Sequence, residues 1–468
     1  MKQTLSLLLI AVSLLCAACG GDTPAVTTAA STAATTTAAP EAPLSPAEKT
    51  LASVRAEIET LAGSLNSVEA VEKMRDLVWQ EYVANIKANQ SSRKNEIKRN
   101  QTTKIKINGV TMKVMTRVVG SAPKDGYPLF LIYHGGGYDP NNQYNEQQWS
   151  GMAERYDDVP GIYCSIRSVS DKEVSGQIFS TDISWKFYDR IIADCIVYMK
   201  ANPNQVYIVG YSAGGNGVYQ IAPRITDRLA AATMSAGHPE GIDLTNLYNL
   251  PFYLQVGELD TAYTRNTLTV EYDQKLDALA EQYGGGYYHK CFVHANTEHG
   301  AVGDFLSNQT VIADNDAWLA AQQSGTVYEG GTVQAETHAA KLMTTHTRAP
   351  LPERIVWNVA TNSNANNRRG INSFYWLSAK ATNGIIDASY DKATNTITIA
   401  ECSIRRANVT IYLNEEMVDL FSPVKIVMPD GSVQQFTPEI SLDLLRETTK
   451  ERGDPNYQFC SSYTFKLN

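Results

Sequence analysis

Ser212 stands in the run Gly210-Tyr211-Ser212-Ala213-Gly214, with the apolar stretch Val206-Tyr207-Ile208-Val209 before it and small residues after it. A strand that ends in such a pentapeptide and continues as a helix lifts the serine hydroxyl onto a sharp turn, a nucleophile elbow. The turn strains the serine backbone and crowds the positions two residues to either side, so both need glycine. At that apex the hydroxyl faces outward, and the free amides and dipole of the following helix favour negative charge developing on a carbonyl oxygen. The chemistry expected of Ser212 is nucleophilic acyl transfer; the competing reading is a glycine-rich turn that packs helix on strand.

A serine nucleophile needs a base, an acid behind the base, and donors for the oxyanion. The apolar run Pro128 to Tyr133 delivers His134-Gly135-Gly136-Gly137 at its end. Amides from Gly135 to Gly137, with Gly135 and Gly136 as the candidates, would join the amide of Ala213 in an oxyanion hole. The other reading is a flexible loop, and His134 itself is expected to be structural rather than a proton carrier. Downstream, Phe252 to Val256 leads into Gly257-Glu258-Leu259-Asp260, and Tyr287 to Val293 leads to His294 and then to Glu298-His299-Gly300. Asp260 is the candidate acid, with Glu258 as its alternative on the preceding strand. His299 is the candidate base because Gly300 lets its loop approach the serine, and His294, directly at the strand end, is the alternative base. Serine, acid and histidine follow in that order, roughly 40 to 50 residues apart, which leaves room for a helix and a strand between each. His238 follows another small-residue strand and is either a pocket residue or a loop histidine; His289, His338 and His346 lack comparable context.

Taken together, Leu129 to Gly137, Trp185, Asn204 to Gly215, Asp227 to Ala232 and Gly257 to Asp260 resemble the α/β-hydrolase superfamily over residues from about 104 to 325. The likeness is to the branch of secreted esterases related to esterase D, polyhydroxybutyrate depolymerases and feruloyl or acetylxylan esterases. It implies an α/β fold with a mostly parallel central sheet and helices on both faces. It also implies a covalent acyl-enzyme on Ser212 that water hydrolyses, without metal or organic cofactor, acting on a small-molecule or polysaccharide-linked ester. The chain departs from the usual pattern in the insert Tyr138 to Gln148 and in Gly300-Ala301-Val302-Gly303 after the histidine. A prolyl-oligopeptidase-like serine peptidase shares fold and triad order and is the second reading; no motif for clamping a peptide terminus is evident. A non-catalytic glycan- or partner-binding protein is the third.

Around these groups the elements are legible. Asn108-Gly109 between Lys104 to Ile107 and Val110 to Val114 is a two-residue hairpin signal. Residues 45–100 read as a helical segment: Ser45-Pro46-Ala47-Glu48 is a capping box, and Leu51, Val54, Ile58, Leu61 and Leu65 keep a helical period. A catalytic domain is expected over 101–325, a connector over 326–347, and a small β-sandwich-like C-terminal domain over 348–468 with one late helix, Ser441 to Arg452. Trp357, Phe374, Tyr375 and Trp376 are expected in its core, the other reading being a glycan or lipid platform. The Tyr138 to Gln148 insert and the loop through Arg167, Asp171 and Gly176 are expected to wall the pocket, because loops leaving the carboxyl ends of strands form the crevice of an open α/β sheet.

Lys2 and the apolar stretch Leu5 to Leu15 have the form of a signal peptide over 1–19. Leu15-Cys16-Ala17-Ala18-Cys19 resembles a bacterial lipobox with Cys19 as the lipidated residue, which implies membrane attachment on the extracytoplasmic side of a cell envelope. Residues 20–44, almost all Ala, Thr, Ser and Pro, are expected to be a flexible tether. A net charge of −9 over 468 residues argues against nucleic-acid binding; the basic run from Arg93 to Lys106 reads as a solvated helix end and edge strand. Five cysteines beyond Cys19 cannot all pair, and a Cys402–Cys460 bridge is conceivable. No Cys-x-x-Cys or His-Glu-x-x-His spacing points to a metal.

Overall fold

The computed structural model describes residues 43–152, 159–173, 175–300, 309–335, 339–363 and 372–467. The signal peptide, Cys19 and most of the tether lie outside the described residues. At the start of the described chain, Ser45 caps α1 (Pro46–Ala62): its hydroxyl accepts from the Glu48 amide, and the Glu48 carboxylate accepts from the Ser45 amide at 2.7 Å. Ser67 caps α2 (Val68–Asn89), and the two helices pair through the buried stripe of Val54, Ile58, Val71, Met74 and Val78. Among the described residues no helix is long and apolar enough to cross a membrane.

Asn108 and Gly109, both at positive φ, close the hairpin of β1 (Gln101–Ile107) and β2 (Val110–Val119). The chain then lays down β3 (Tyr127–Tyr133), α3 (Gln143–Met152), β4 (Gly161–Ile166), α4 (Ser184–Met199), β5 (Ala201–Tyr211), α5 (Ala213–Ile221), β6 (Ala231–Ser235), β7 (Phe252–Gly257), α6 (Arg265–Tyr283) and β8 (His289–His294). Last come β9 (Thr310–Ile312), α7 (Asn315–Ser324) and β10 (Thr332–Gln334); β10 belongs to the segment expected as a connector. The ten strands form one sheet in the order β1-β2-β4-β3-β5-β6-β7-β8-β9-β10, parallel from β4 through β8. Near-continuous apolar runs in β3, β4 and β5 are explained by burial on both faces. Leu129, Leu131, Tyr133 and Ile208 share one core with residues of α4, α5 and α6. Phe130, Ile132, Tyr207 and Val209 face the other side, with Met152 of α3, Ala339 of α8 (Ala339–Leu342) and Met343.

Beyond residue 350 the chain builds two further sheets. The first orders β11 (Arg354–Asn358), β14 (Ile385–Asp391), β15 (Thr396–Cys402), β17 (Val424–Val427) and β18 (Val433–Phe436); the second orders β12 (Ser373–Phe374), β13 (Leu377–Ala379), β16 (Asn408–Leu413) and β19 (Ser461–Lys466). A short α9 (Val359–Ser363) follows β11, and Ser441 caps α10 (Leu442–Arg452). Trp357, Phe374, Tyr375 and Trp376 are buried, so they are core and not an exposed platform. Cys402 and Cys460 are both unpaired buried thiols, one ending β15 and the other preceding β19 in a different sheet, so the conceivable bridge between them is not formed. The apolar stripe of α1 and α2 lies in the same core as these strands and not against the large sheet.

A buried ionic cluster joins the two layers. Asp227, just before β6, pairs with Arg452 at the end of α10, while Asp454 accepts from Arg348 at 2.8 Å and from Arg228 at 3.2 Å. Burial works against each charge, but the Arg348 and Arg228 guanidinium groups hold the Asp454 carboxyl below its usual range. Tyr457 lies under Arg452 and Arg348, 4.1 and 5.0 Å from its ring centre, and donates to the Asp227 carbonyl at 2.5 Å. Removing one member leaves the other charge buried and unpaired. Asp227→Ala is therefore expected to destabilise the protein by about 3–5 kcal/mol, read as a lower midpoint in guanidinium unfolding; a loss under about 1 kcal/mol would show that the cluster is not desolvated as described.

Candidate active site

Ser212 occupies φ 56, ψ −119 at the junction of β5 and α5, the strained backbone expected of an elbow. The glycines answer a measurable crowding. A Cβ on Gly210 would lie 2.2 Å from the Gly214 carbonyl oxygen, and one on Gly214 would lie 2.1 Å from the Tyr133 carbonyl oxygen. Gly215 and Gly237 meet in the same way, which lets α5 lie against the end of β6. The Ser212 amide donates to the Ser235 carbonyl at 2.9 Å, tying the apex to β6 and leaving the hydroxyl outward.

The structure brings Ser212, His299 and Asp260 together. His299 Nε2 lies 3.0 Å from Ser212 Oγ, and His299 Nδ1 lies 2.6 Å from Asp260 Oδ2. With a carboxylate at Nδ1, the proton of the neutral ring sits there and Nε2 accepts from the serine hydroxyl. Asp260 is fully buried while the His299 side chain is 33% exposed, so the carboxylate is shielded and the imidazole reaches the surface. Tyr211 fixes the histidine from the other side: its hydroxyl donates to the His299 carbonyl at 2.9 Å, and the two rings are 5.3 Å apart.

The second oxygen of Asp260 has its own partner. Arg265, at the start of α6, donates from Nη1 to Asp260 Oδ1 at 3.2 Å and lies over the Tyr263 ring at 4.9 Å. Tyr263 and Thr264 both adopt left-handed backbone at φ 57 and 53, strained for a bulky and a β-branched residue, and this turn places Arg265 behind the acid. No sequence pattern marked Arg265, since an arginine five residues after an aspartate is ordinary. Its role follows from the path of the loop.

The alternatives go elsewhere. His294 Nε2 faces Gln255 Oε1 at 3.3 Å, and Gln255 donates to Ser235 Oγ at 2.6 Å, a chain beneath the elbow that leaves the Ser212 hydroxyl to His299. Glu258 accepts from the Asn296 amide at 2.8 Å and braces the loop before the base. His238 accepts from the Glu240 amide, which is the loop reading.

The glycine loop after β3 passes beside the serine: a Cβ on Gly135 would be 3.5 Å from Ser212 Cβ. Among the described residues the amides of Gly135, Gly136 and Ala213 donate to no protein acceptor. The Gly137 amide is occupied, donating to Asn145 Oδ1 at 3.0 Å, which narrows the candidate donors to the first two glycines and Ala213. Asn145 lies in the Tyr138 to Gln148 insert, most of which is α3, and nothing in its spacing marked it. His134 is fully buried. The Ser168 amide donates to its Nε2, so Nδ1 carries the proton and donates to the Gly135 carbonyl at 2.5 Å. Among the described residues no group of three or more His, Cys, Asp or Glu is arranged to hold a metal ion.

The strand order, the parallel centre and the elbow at the carboxyl end of β5 assign the architecture. This chain has the α/β-hydrolase fold. No protein-family model matches it, and no curated protein does. Solved structures that it is similar to include a thermostable esterase, at 17% identity and TM-score 0.36 over 53% of this chain and 63% of that one. Another is the LpqC poly(3-hydroxybutyrate) depolymerase from Bordetella parapertussis, at 15% identity and TM-score 0.36 over 56% of this chain and 96% of that one. A third is the esterase Est2 from the planctomycete Thermogutta terrifontis, at 14% identity and TM-score 0.31 over 43% and 85%.

Burial pushes the His134 imidazole down to about 3 from 6.5, and Arg167 adds to the shift against the opposing Gly135 carbonyl. The unfolded chain therefore takes up a proton as the pH falls below about 6.5, while the folded chain does not. Stability present above that pH is lost towards pH 3, at up to about 1.4 kcal/mol per pH unit from this group. His134→Asn is expected to lower stability at neutral pH yet flatten its decline in acid, measured by denaturant unfolding between pH 7 and 4. An unchanged acid slope would show that the ring protonates in the folded protein.

Proposed function

We propose that this protein is a serine hydrolase that cleaves carboxylic esters, with Ser212 as nucleophile, His299 as general base and acid, and Asp260 as the group that orients the imidazole. One observation carries the reading: the unbroken line from the Ser212 hydroxyl through His299 to the buried Asp260 carboxylate, beside amides of Gly135, Gly136 and Ala213 that have no acceptor among the described residues. His299 Nε2 takes the hydroxyl proton as Ser212 Oγ bonds to the ester carbon. The carbonyl oxygen becomes an anion facing the free amides, a stabilisation of roughly 3 kcal/mol per donor. Collapse breaks the bond to the alkoxy group, which leaves as an alcohol with the proton from His299. Water then repeats the sequence on the acyl-enzyme, and the acid leaves. Asp260 holds the imidazole in place and stabilises the imidazolium that forms in each half-reaction.

Incubation with a fluorophosphonate probe and with short-chain aryl esters tests the assignment. The wild-type protein is expected to label and turn over, and Ser212→Ala and His299→Ala to lose about 10⁴-fold or more in turnover. Labelling that survives Ser212→Ala would sink the nucleophile assignment, and a wild-type protein inert to both reagents would sink the hydrolase reading.

The N-terminal sequence supports the second half of the proposal, a lipid anchor on Cys19 outside the cytoplasm with a flexible arm to the enzyme. In a bacterial host, Cys19→Ala is expected to move the protein from the detergent-soluble membrane fraction to the soluble envelope fraction. Unchanged membrane retention would count against this anchor.

A further inference from the structure

We infer that Asn145 is a positioning residue that sets the oxyanion amides of Gly135 and Gly136 opposite Ser212, an inference that rests on the reading of Ser212 as the nucleophile. Asn145 belongs to the insert by which this chain departs from the usual α/β-hydrolase pattern. Its fully buried side-chain amide makes a two-way pair with one residue, accepting from the Gly137 amide at 3.0 Å and donating to the Gly137 carbonyl at 2.7 Å. The same nitrogen donates to Asp171 Oδ1 at 2.7 Å, so both amide hydrogens are used. The Asn145 main-chain amide donates to Asp139 Oδ2 at 2.9 Å, which closes the insert on itself.

Asn145 also crowds Gly136. A Cβ on Gly136 would lie 2.0 Å from Asn145 Oδ1, so the asparagine amide fills the space that a side chain would take. Gly136 and Gly137 sit at φ 118 and 150, backbone that glycine adopts but does not hold unaided. Their peptide directions need an external template, and the paired asparagine amide supplies one.

That template is fixed in turn by the loop after β4. Arg167 is buried and donates to Asp171 Oδ1 at 2.6 Å, to Glu146 Oε2 at 3.3 Å, and to Asn142 and Ser168. The Asp139 amide donates to the Asp171 carbonyl at 2.8 Å. Donors that stabilise an oxyanion work by being aimed before the charge appears; donors free to turn must reorient as it forms, and that cost enters the barrier. Asn145, held by Asp171 and Arg167, keeps the glycine amides aimed.

Asn145→Asp keeps the shape of the side chain and removes both donors, setting a carboxylate against the Gly137 carbonyl and Asp171. The discriminating measurement compares a carboxylic ester with its thiono analogue, in which sulfur replaces the carbonyl oxygen and accepts hydrogen bonds weakly. An aimed oxyanion hole prefers the oxygen ester, and the ratio of the two kcat/KM values does not depend on how much of the sample is folded. Asn145→Asp is expected to lower kcat on the oxygen ester by about 10²-fold with KM within a few-fold, and to reduce the preference for oxygen by about tenfold. Asp171→Asn is expected to shift the same ratio less, and it carries the test if Asn145→Asp proves too unstable to assay. A variant with the wild-type ratio and kcat overturns the inference and leaves the hydrolase reading intact. A wild-type protein that hydrolyses neither ester overturns that reading and this inference with it.

Discussion

Contact between backbones at the end of β5 is the constraint on which the site depends. Gly210, Gly214, Gly215 and Gly237 bring four stretches of main chain to distances at which no Cβ fits. α5 can therefore start immediately after Ser212, and the β3 loop can pass close enough for Gly135 to lie beside the side chain. Had any of these positions carried a side chain, helix and strand would separate by a few tenths of an ångström to more than one. Reacting groups tolerate such errors poorly, since a misplacement near 1 Å can cost on the order of 10²-fold in rate.

Beside that contact the buried charge of Asp260 is paired on both oxygens. Asp260 is out of solvent, and each of its oxygens has a cationic or proton-donating partner, His299 on one and Arg265 on the other. Burying a carboxylate without such partners is costly. Two consecutive left-handed residues, Tyr263 and Thr264, place the arginine there. Strain at a functional loop persists where the surroundings over-determine it, and α6, beginning at Arg265, is the element that does so here. Asn145 and Arg167 play the corresponding part on the oxyanion side, with neutral and charged bonds in place of strain.

The remaining layers are tied to the large sheet by polar as well as apolar contact. The N-terminal helices and the two C-terminal sheets share one core although nearly the whole chain separates them in sequence. Asp227 and Arg228, just before β6 of the large sheet, meet Arg348, Arg452 and Asp454 at the boundary.

The amino-acid sequence by itself determined what is local. The glycines at 210 and 214, the histidine-glycine run at 134–137, the order of serine, acid and histidine, the capping box at Ser45 and the Asn108-Gly109 hairpin are all written in residues a few positions apart, where sterics and hydrogen bonding act over one turn of chain. The fold class came with these motifs, because in this order they resemble the α/β-hydrolase superfamily and so imply its sheet. What joins distant segments was decided only by tertiary structure: that His299 and not His294 faces Ser212, that Arg265 backs Asp260, that Gly137 gives its amide to Asn145, and that the N-terminal helices side with the C-terminal strands. Each of these turns on loop paths and on which faces meet, and neither is fixed by the spacing of residue types along a single chain.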